Sequence, residues 1–153
     1  MTKMTLKTDG DTQVIVTRRF SAPPSAVFRA HTDPALIRQW MTGPDGWVMS
    51  ECDVRADNSI RYVWTNTDGH GFSLTGELLE LDPPHRIVHV ERMHLPETTP
   101  DNHVETLFKD DGAGGTLMVM TMSLPDAATR EAMLATGMAD GMEMSYARLE
   151  TIL

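Results

Sequence analysis

The chain holds one cysteine, Cys52, in 153 residues, so no disulfide can close within it. That excludes a small scaffold stapled by cystines, and a lone thiol suits a reducing compartment. Long apolar runs are also missing: nothing approaches the roughly 20 apolar residues that cross a bilayer. The opening segment, Met1-Thr2-Lys3-Met4-Thr5-Leu6-Lys7-Thr8-Asp9-Gly10, lacks the apolar centre of a signal peptide. A cytoplasmic protein with no membrane partner is the expectation. Positive charge is scarce, with 13 Lys and Arg against 22 Asp and Glu, a net charge of −9. Such a surface repels phosphate backbones, which argues against a nucleic acid partner. Catalytic signatures are missing too. There is no Gly-x-Ser-x-Gly elbow, no glycine-rich phosphate loop and no Cys–His nucleophile pattern. The histidines, His31, His70, His85, His89, His94 and His103, show no zinc spacing, so no metal and no cofactor is expected. No repeat, linker or low-complexity tract divides the chain. Its length suits one domain over residues 1–153, able to bury about two thirds of its unfolded surface.

What is present is a strand that runs into two short helices. Val14, Val16 and Arg18 alternate with Ile15, Thr17 and Arg19, which predicts a strand over 12–20. Pro23-Pro24 ends it, and Ser25 to Ala30 forms a short helix anchored by Val27 and Phe28. Asp33 caps a second helix with Pro34 at its first position, and Trp40 closes it. Strands follow near 47–54, 59–66, 71–81, 86–93, 103–109 and 115–123, separated by turn chemistry such as Asp57-Asn58 and Thr67-Asp68-Gly69. Residues 94–102 read as a loop over one rim. These spacings suit an antiparallel meander. Ser123 and Asp126 fit a capping box, from which one helix is predicted to run to about Ile152. Leu134, Met138, Met142, Ser145, Leu149 and Ile152 make its apolar stripe, bordered by Tyr146. Gly137 and Gly141 fall inside this helix, as close-packing points or as a hinge.

The segments Phe20-Ser21-Ala22-Pro23, Val27-Phe28-Arg29-Ala30, Thr32-Asp33-Pro34, Gly43-Pro44-Asp45-Gly46-Trp47, Asp53-Val54-Arg55, Gly76-Glu77, Pro83-Pro84-His85-Arg86-Ile87-Val88, Glu91-Arg92-Met93 and Ser145-Tyr146 carry a resemblance over nearly the whole chain. The chain resembles the SRPBCC superfamily (START-like, helix-grip fold), and within it the group similar to the activator of heat-shock protein 90 ATPase, also called polyketide cyclase-like. The resemblance implies an α+β fold: a curved antiparallel sheet wrapped around a long C-terminal helix, with two short helices after the first strand. It implies binding of a small hydrophobic or amphipathic molecule in an internal cavity. Cyclase-like or hydrolase-like chemistry in that cavity is the alternative. A chaperone-activating role is the third, and a chaperone partner is not expected, because the resemblance covers only a module of the eukaryotic activator. There is room for a homodimer. Where the family often carries Gly-Gly after Asp53-x-Arg55, this chain has Asn58-Ser59, and Asn tolerates the left-handed conformation such a turn needs.

The candidate cavity wall is Trp40, Trp47, Tyr62, Trp64, Phe72, Met93, Met118, Met120 and Met122, with Met138, Met142 and Tyr146 from the last helix. Methionine, at 12 residues, adapts to varied apolar shapes, though it fills ordinary cores as well. Ile60, Tyr62 and Trp64 share a strand face, as do Met118, Met120 and Met122. Tyr62, Trp64, Met120, Met138 and Met142 are expected to converge on one interior region. His89 and Glu91 share the face of their strand opposite Val88 and Val90. Turned outward, or bonded to each other, they are an ordinary structural pair. Turned inward, they could act as acid and base.

Overall fold

Alternation of apolar and polar side chains sets the sheet. The computed structural model describes residues 3–153; Met1 and Thr2 of the expected 1–153 domain lie outside the described residues. The strands are β1 (Thr5–Asp9), β2 (Gln13–Phe20), β3 (Trp47–Val54), β4 (Ser59–Asn66), β5 (Gly71–Asp82), β6 (Arg86–His94), β7 (Asn102–Asp110) and β8 (Thr116–Ser123). They form one antiparallel sheet in the order β1-β2-β8-β7-β6-β5-β4-β3. The meander from β3 to β8 is the predicted one, and β2 closes against β8. The first strand predicted from the sequence is therefore the second strand of the protein, and the two short helices follow it. β1 escaped the pattern because it is an edge strand with nearly every residue exposed.

The helices are α1 (Pro24–Thr32), α2 (Pro34–Trp40), α3 (Ala127–Leu134) and α4 (Met138–Ile152). Asp33 caps α2 by accepting from the Ala35 N–H at 3.0 Å, as predicted. The single C-terminal helix is not found. It breaks into α3 and α4 at Gly137, whose φ of 75° lies in the left-handed region that an L side chain rarely occupies. The predicted capping box fails as well. Asp126 is itself the N-cap of α3, accepting from the Thr129 N–H at 2.7 Å, while the Ser123 hydroxyl accepts from Gln13 Nε2. The stripe is shorter than predicted: Ser145, Tyr146 and Leu149 are buried, but Ile152 is exposed.

The helices cover one side of the sheet in two separate patches. Val14, Val16, Val104, Phe108 and Met118 from β2, β7 and β8 pack with Val27 and Phe28 of α1 and Tyr146 and Leu149 of α4. Met49, Ile60, Tyr62, Trp64 and Leu74 from β3, β4 and β5 pack with Ile37 of α2. The opposite side carries ion pairs, such as Arg92 with Glu77 and Asp101, and Arg86 with Glu105. Asn58 sits at φ 68°, so the β3–β4 turn survives without the glycine pair.

A candidate site at the seam between two cores

Register decides which side chains point at the helices. Residues paired across antiparallel strands share a side of the sheet. One row runs Val14–Met122–Val104–His89–Leu78. The next runs Asn102–Glu91–Gly76–Ile60. Val14, Val104 and Met122 are buried against the helices, so His89 and Glu91 point inward. Of the two orientations open in the sequence, inward is the one found, and the pair is also hydrogen bonded. His89 Nε2 lies 2.7 Å from Glu91 Oε1, and their side chains keep 18% and 24% of their exposure.

That partial exposure is the notable fact, because both flanks are tightly closed. On one flank Trp40 stacks on Tyr146 at 5.8 Å, and its indole N–H donates to the Ala30 carbonyl at 2.9 Å. On the other, Trp64 stacks on Phe72 at 4.9 Å and donates to the Met41 carbonyl at 2.8 Å. Between them, β6 presents His89, Glu91 and Met93 half-buried. Gly76 adds room beside Glu91. A Cβ there would come within 2.1 Å of the Val90 carbonyl oxygen, so the close strand approach demands glycine, and no side chain stands between Ile60 and Glu91.

The charges at this seam are felt on both sides. Burial raises the Tyr62 phenol pKa, and negative charge at Cys52 and Glu91 raises it further. Burial raises that of Tyr146 too, again with Glu91 as the next cause. Burial pushes the Cys52 thiol up to about 11, which leaves it inert as a nucleophile at neutral pH. His31 lies between Trp40 and Phe108, with centroids at 4.9 and 5.0 Å, and its Nδ1–H donates to the Val27 carbonyl at 2.8 Å. Burial pulls its pKa down to about 4.

A model of the family described as Activator of Hsp90 ATPase homolog 1-like protein matches residues 21–153. The chain belongs to that family. No curated protein matches it. Among solved structures, a Rhodobacter sphaeroides protein is 30% identical, with a TM-score of 0.89 over 98% of this chain and 97% of its own. A Mycobacterium smegmatis protein, 20% identical with a TM-score of 0.82 over 97% of this chain and 95% of its own, shares the fold. So does a Staphylococcus epidermidis protein, 23% identical with a TM-score of 0.79 over 97% of this chain and 93% of its own. The helix-grip fold of the SRPBCC superfamily is thus the fold of this Hsp90 activator homolog-like domain. The family match begins at Ser21, so β2, which supplies Val14 and Arg18 to the interior, lies just before it.

The candidate wall residues divide between the two patches that border the seam. Tyr62 and Trp64, with Trp47, Phe72 and Met93 at the margin, belong to the α2 patch. Trp40, Met118 and Tyr146, with Met120, Met138 and Met142 at the margin, belong to the α1–α4 patch. Met118 is wholly buried and Trp40 nearly so, while Met93, Met120, Met138 and Met142 stay partly accessible. Three interior polar groups were missed. Asn102 faces Glu91 across β6–β7 and is buried, whereas the sequence pattern places it at the end of the 94–102 loop. Arg18 is buried and pairs with Glu143 at 3.2 Å. No local pattern marks any of the three, since each depends on a partner outside its own stretch of sequence. Two open depressions lie elsewhere: one of about 250 Å³ bounded by Ala26, Arg29, Leu36 and Ile152, and one of about 100 Å³ at Asn58 and Leu78–Leu81. Among the described residues, no group of three His, Cys, Asp or Glu is placed to hold a metal ion, and no helix is long and apolar enough to cross a membrane.

Proposed function

We propose that this domain binds a small amphipathic molecule at the seam, with Tyr62 and Met93 on one side, Met120 and Tyr146 on the other, and His89 and Glu91 between. The observation that carries the reading is the partly exposed, inward His89–Glu91 pair between two closed cores. Apolar walls with a few placed polar groups are the ordinary composition of a small-molecule site. The family supports the same reading in general terms, since its architecture is a ligand-binding fold. Native mass spectrometry of freshly purified protein, paired with titration of the neutral dye Nile red, tests it. A retained small molecule or saturable dye binding that shifts the NMR signals of His89 and Met93 supports the seam. Folded protein that retains nothing and binds no dye there overturns it.

A second reading follows from one distance. His89 Nε2 and Glu91 Oε1 at 2.7 Å form a pair able to pass a proton to or from a bound molecule. Turnover of a retained molecule by the wild type, lost in Glu91→Gln with binding kept, would make the site catalytic. Equal turnover in both would remove Glu91 from any chemistry. Chaperone activation, which the family description names, gains no support from the seam geometry.

A further inference from the structure

We infer that the molecule held at the seam carries hydrogen-bond donors on its polar end, as an amine or an alcohol does, and that a carboxylate head group is rejected. This rests on the seam being the binding site. Three inward groups there, Asn102, Glu91 and His31, offer acceptors that the protein leaves open, while the Tyr62 and Tyr146 hydroxyls can donate or accept. Asn102 keeps 9% of its surface, and its Oδ1 is buried with no partner. Facing it across β6–β7 is Glu91, whose one protein hydrogen bond, to His89, leaves its other lone pairs open. His31 spends its Nδ1–H on Val27, so its Nε2 is an acceptor with no partner among the described residues. Turning the Asn102 amide over would offer a donor at that one place and leave Glu91 and His31 as acceptors.

Charge points the same way. Arg18 is the only buried Lys or Arg among the described residues, and Glu143 already neutralises it. His31, pulled down to about 4 by burial, is uncharged at neutral pH and cannot receive an anion. An incoming carboxylate would meet the Glu91 carboxylate and an unpartnered amide oxygen, with only the neutral hydroxyls of Tyr62 and Tyr146 to donate to it and no free cation in reach. An N–H or O–H would satisfy the groups that the protein leaves open, and a buried acceptor without a donor is what a recognition site keeps for its ligand.

Three probes with one ring system separate the alternatives: naphthylmethylamine, naphthalenemethanol and naphthoate. Calorimetry at high salt, which screens the acidic surface, should show the amine and the alcohol binding at least about tenfold more tightly than the acid. NMR should place both at His89 and Met93. In Glu91→Gln the preference for amine over acid should disappear, whereas Asp68→Asn, which removes the same charge from an exposed turn, should keep it. The His89 ring signals of the wild type should move with the amine and stay still with naphthoate, a readout that holds even if the variant folds poorly. Equal affinity for amine and acid in the wild type would overturn the head-group inference and leave the seam as a site. No shift at the seam with any probe would remove the site itself, and this inference with it.

Discussion

His31 shows how the environment of one residue becomes a property of the whole protein. Its ring is fixed by Trp40, Phe108 and the Val27 carbonyl, and burial pulls its pKa from 6.5 to about 4. The unfolded chain therefore takes up a proton at this position before the folded one does. Stability must fall as pH drops from 6.5 to about 4, and this group adds no further loss below that. The shift corresponds to about 3 kcal/mol. Urea unfolding of wild type and His31→Gln at neutral pH and near pH 4 isolates it, because the carboxylates titrate alike in both. The wild type should lose about 3 kcal/mol more than the variant over that interval. Equal losses would mean that the ring titrates alike in the folded and unfolded chain, so that burial does not hold it neutral. At this scale the sequence was only partly legible. Strand alternation put His89 and Glu91 on one face, yet it could not say which way that face turned. Asn102 was out of reach, because its role comes from the register with Glu91 and not from its neighbours in the chain.

Among the elements, the break between α3 and α4 is the clearest departure from the pattern in the sequence. Apolar spacing runs through residues 134–142 without interruption, so periodicity joins what the backbone separates. The two glycines consequently differ. Gly137 needs its positive φ, and alanine there meets the left-handed penalty of about 1–2 kcal/mol. Gly141 lies within α4, where a Cβ would meet only Pro44 Cδ at 3.7 Å, an ordinary contact. Gly141→Ala should stabilise by about 0.5–1 kcal/mol, and Gly137→Ala should destabilise by at least as much. Thermal unfolding of the two single variants reads this directly. Stabilisation by both would restore the single continuous helix. The strands were legible almost to the residue because turn chemistry brackets each one. The exception, β1, has one exposed face and one exposed edge, so no alternation marks it.

For the molecule as a whole, the question is what holds the last helix onto the sheet. Part of the answer lies at the N-terminal end. Arg18 of β2 donates to Glu143 of α4 through Nε at 3.3 Å and Nη2 at 3.2 Å, and the Met4 N–H donates to the same carboxylate at 2.6 Å. Arg18 also lies over the Phe20 ring at 4.9 Å. Residues 125 apart in sequence are thus tied inside the fold, with Arg18 at 4% and Glu143 at 22% side-chain exposure. Burial alone would raise the Glu143 pKa, but the bonds from Arg18 and Met4 outweigh it and hold the carboxyl below its usual range. Its stabilising contribution is present above the ordinary carboxylate range and is lost as pH falls through the lowered folded value. Removing the acid alone strands a buried guanidinium, so Glu143→Leu should cost about 3 kcal/mol, the low end for a broken buried pair because Glu143 keeps some solvent. Replacing both partners, Arg18→Met with Glu143→Leu, should recover most of that loss, since two well-packed apolar side chains avoid the desolvation of two ions. The double variant should also lose its extra acid sensitivity. A double-mutant cycle by urea unfolding at neutral and acid pH checks both points. If the double variant is as unstable as Glu143→Leu, then the loss is not that of a stranded guanidinium, and the ion pair itself contributes stability that apolar packing does not replace.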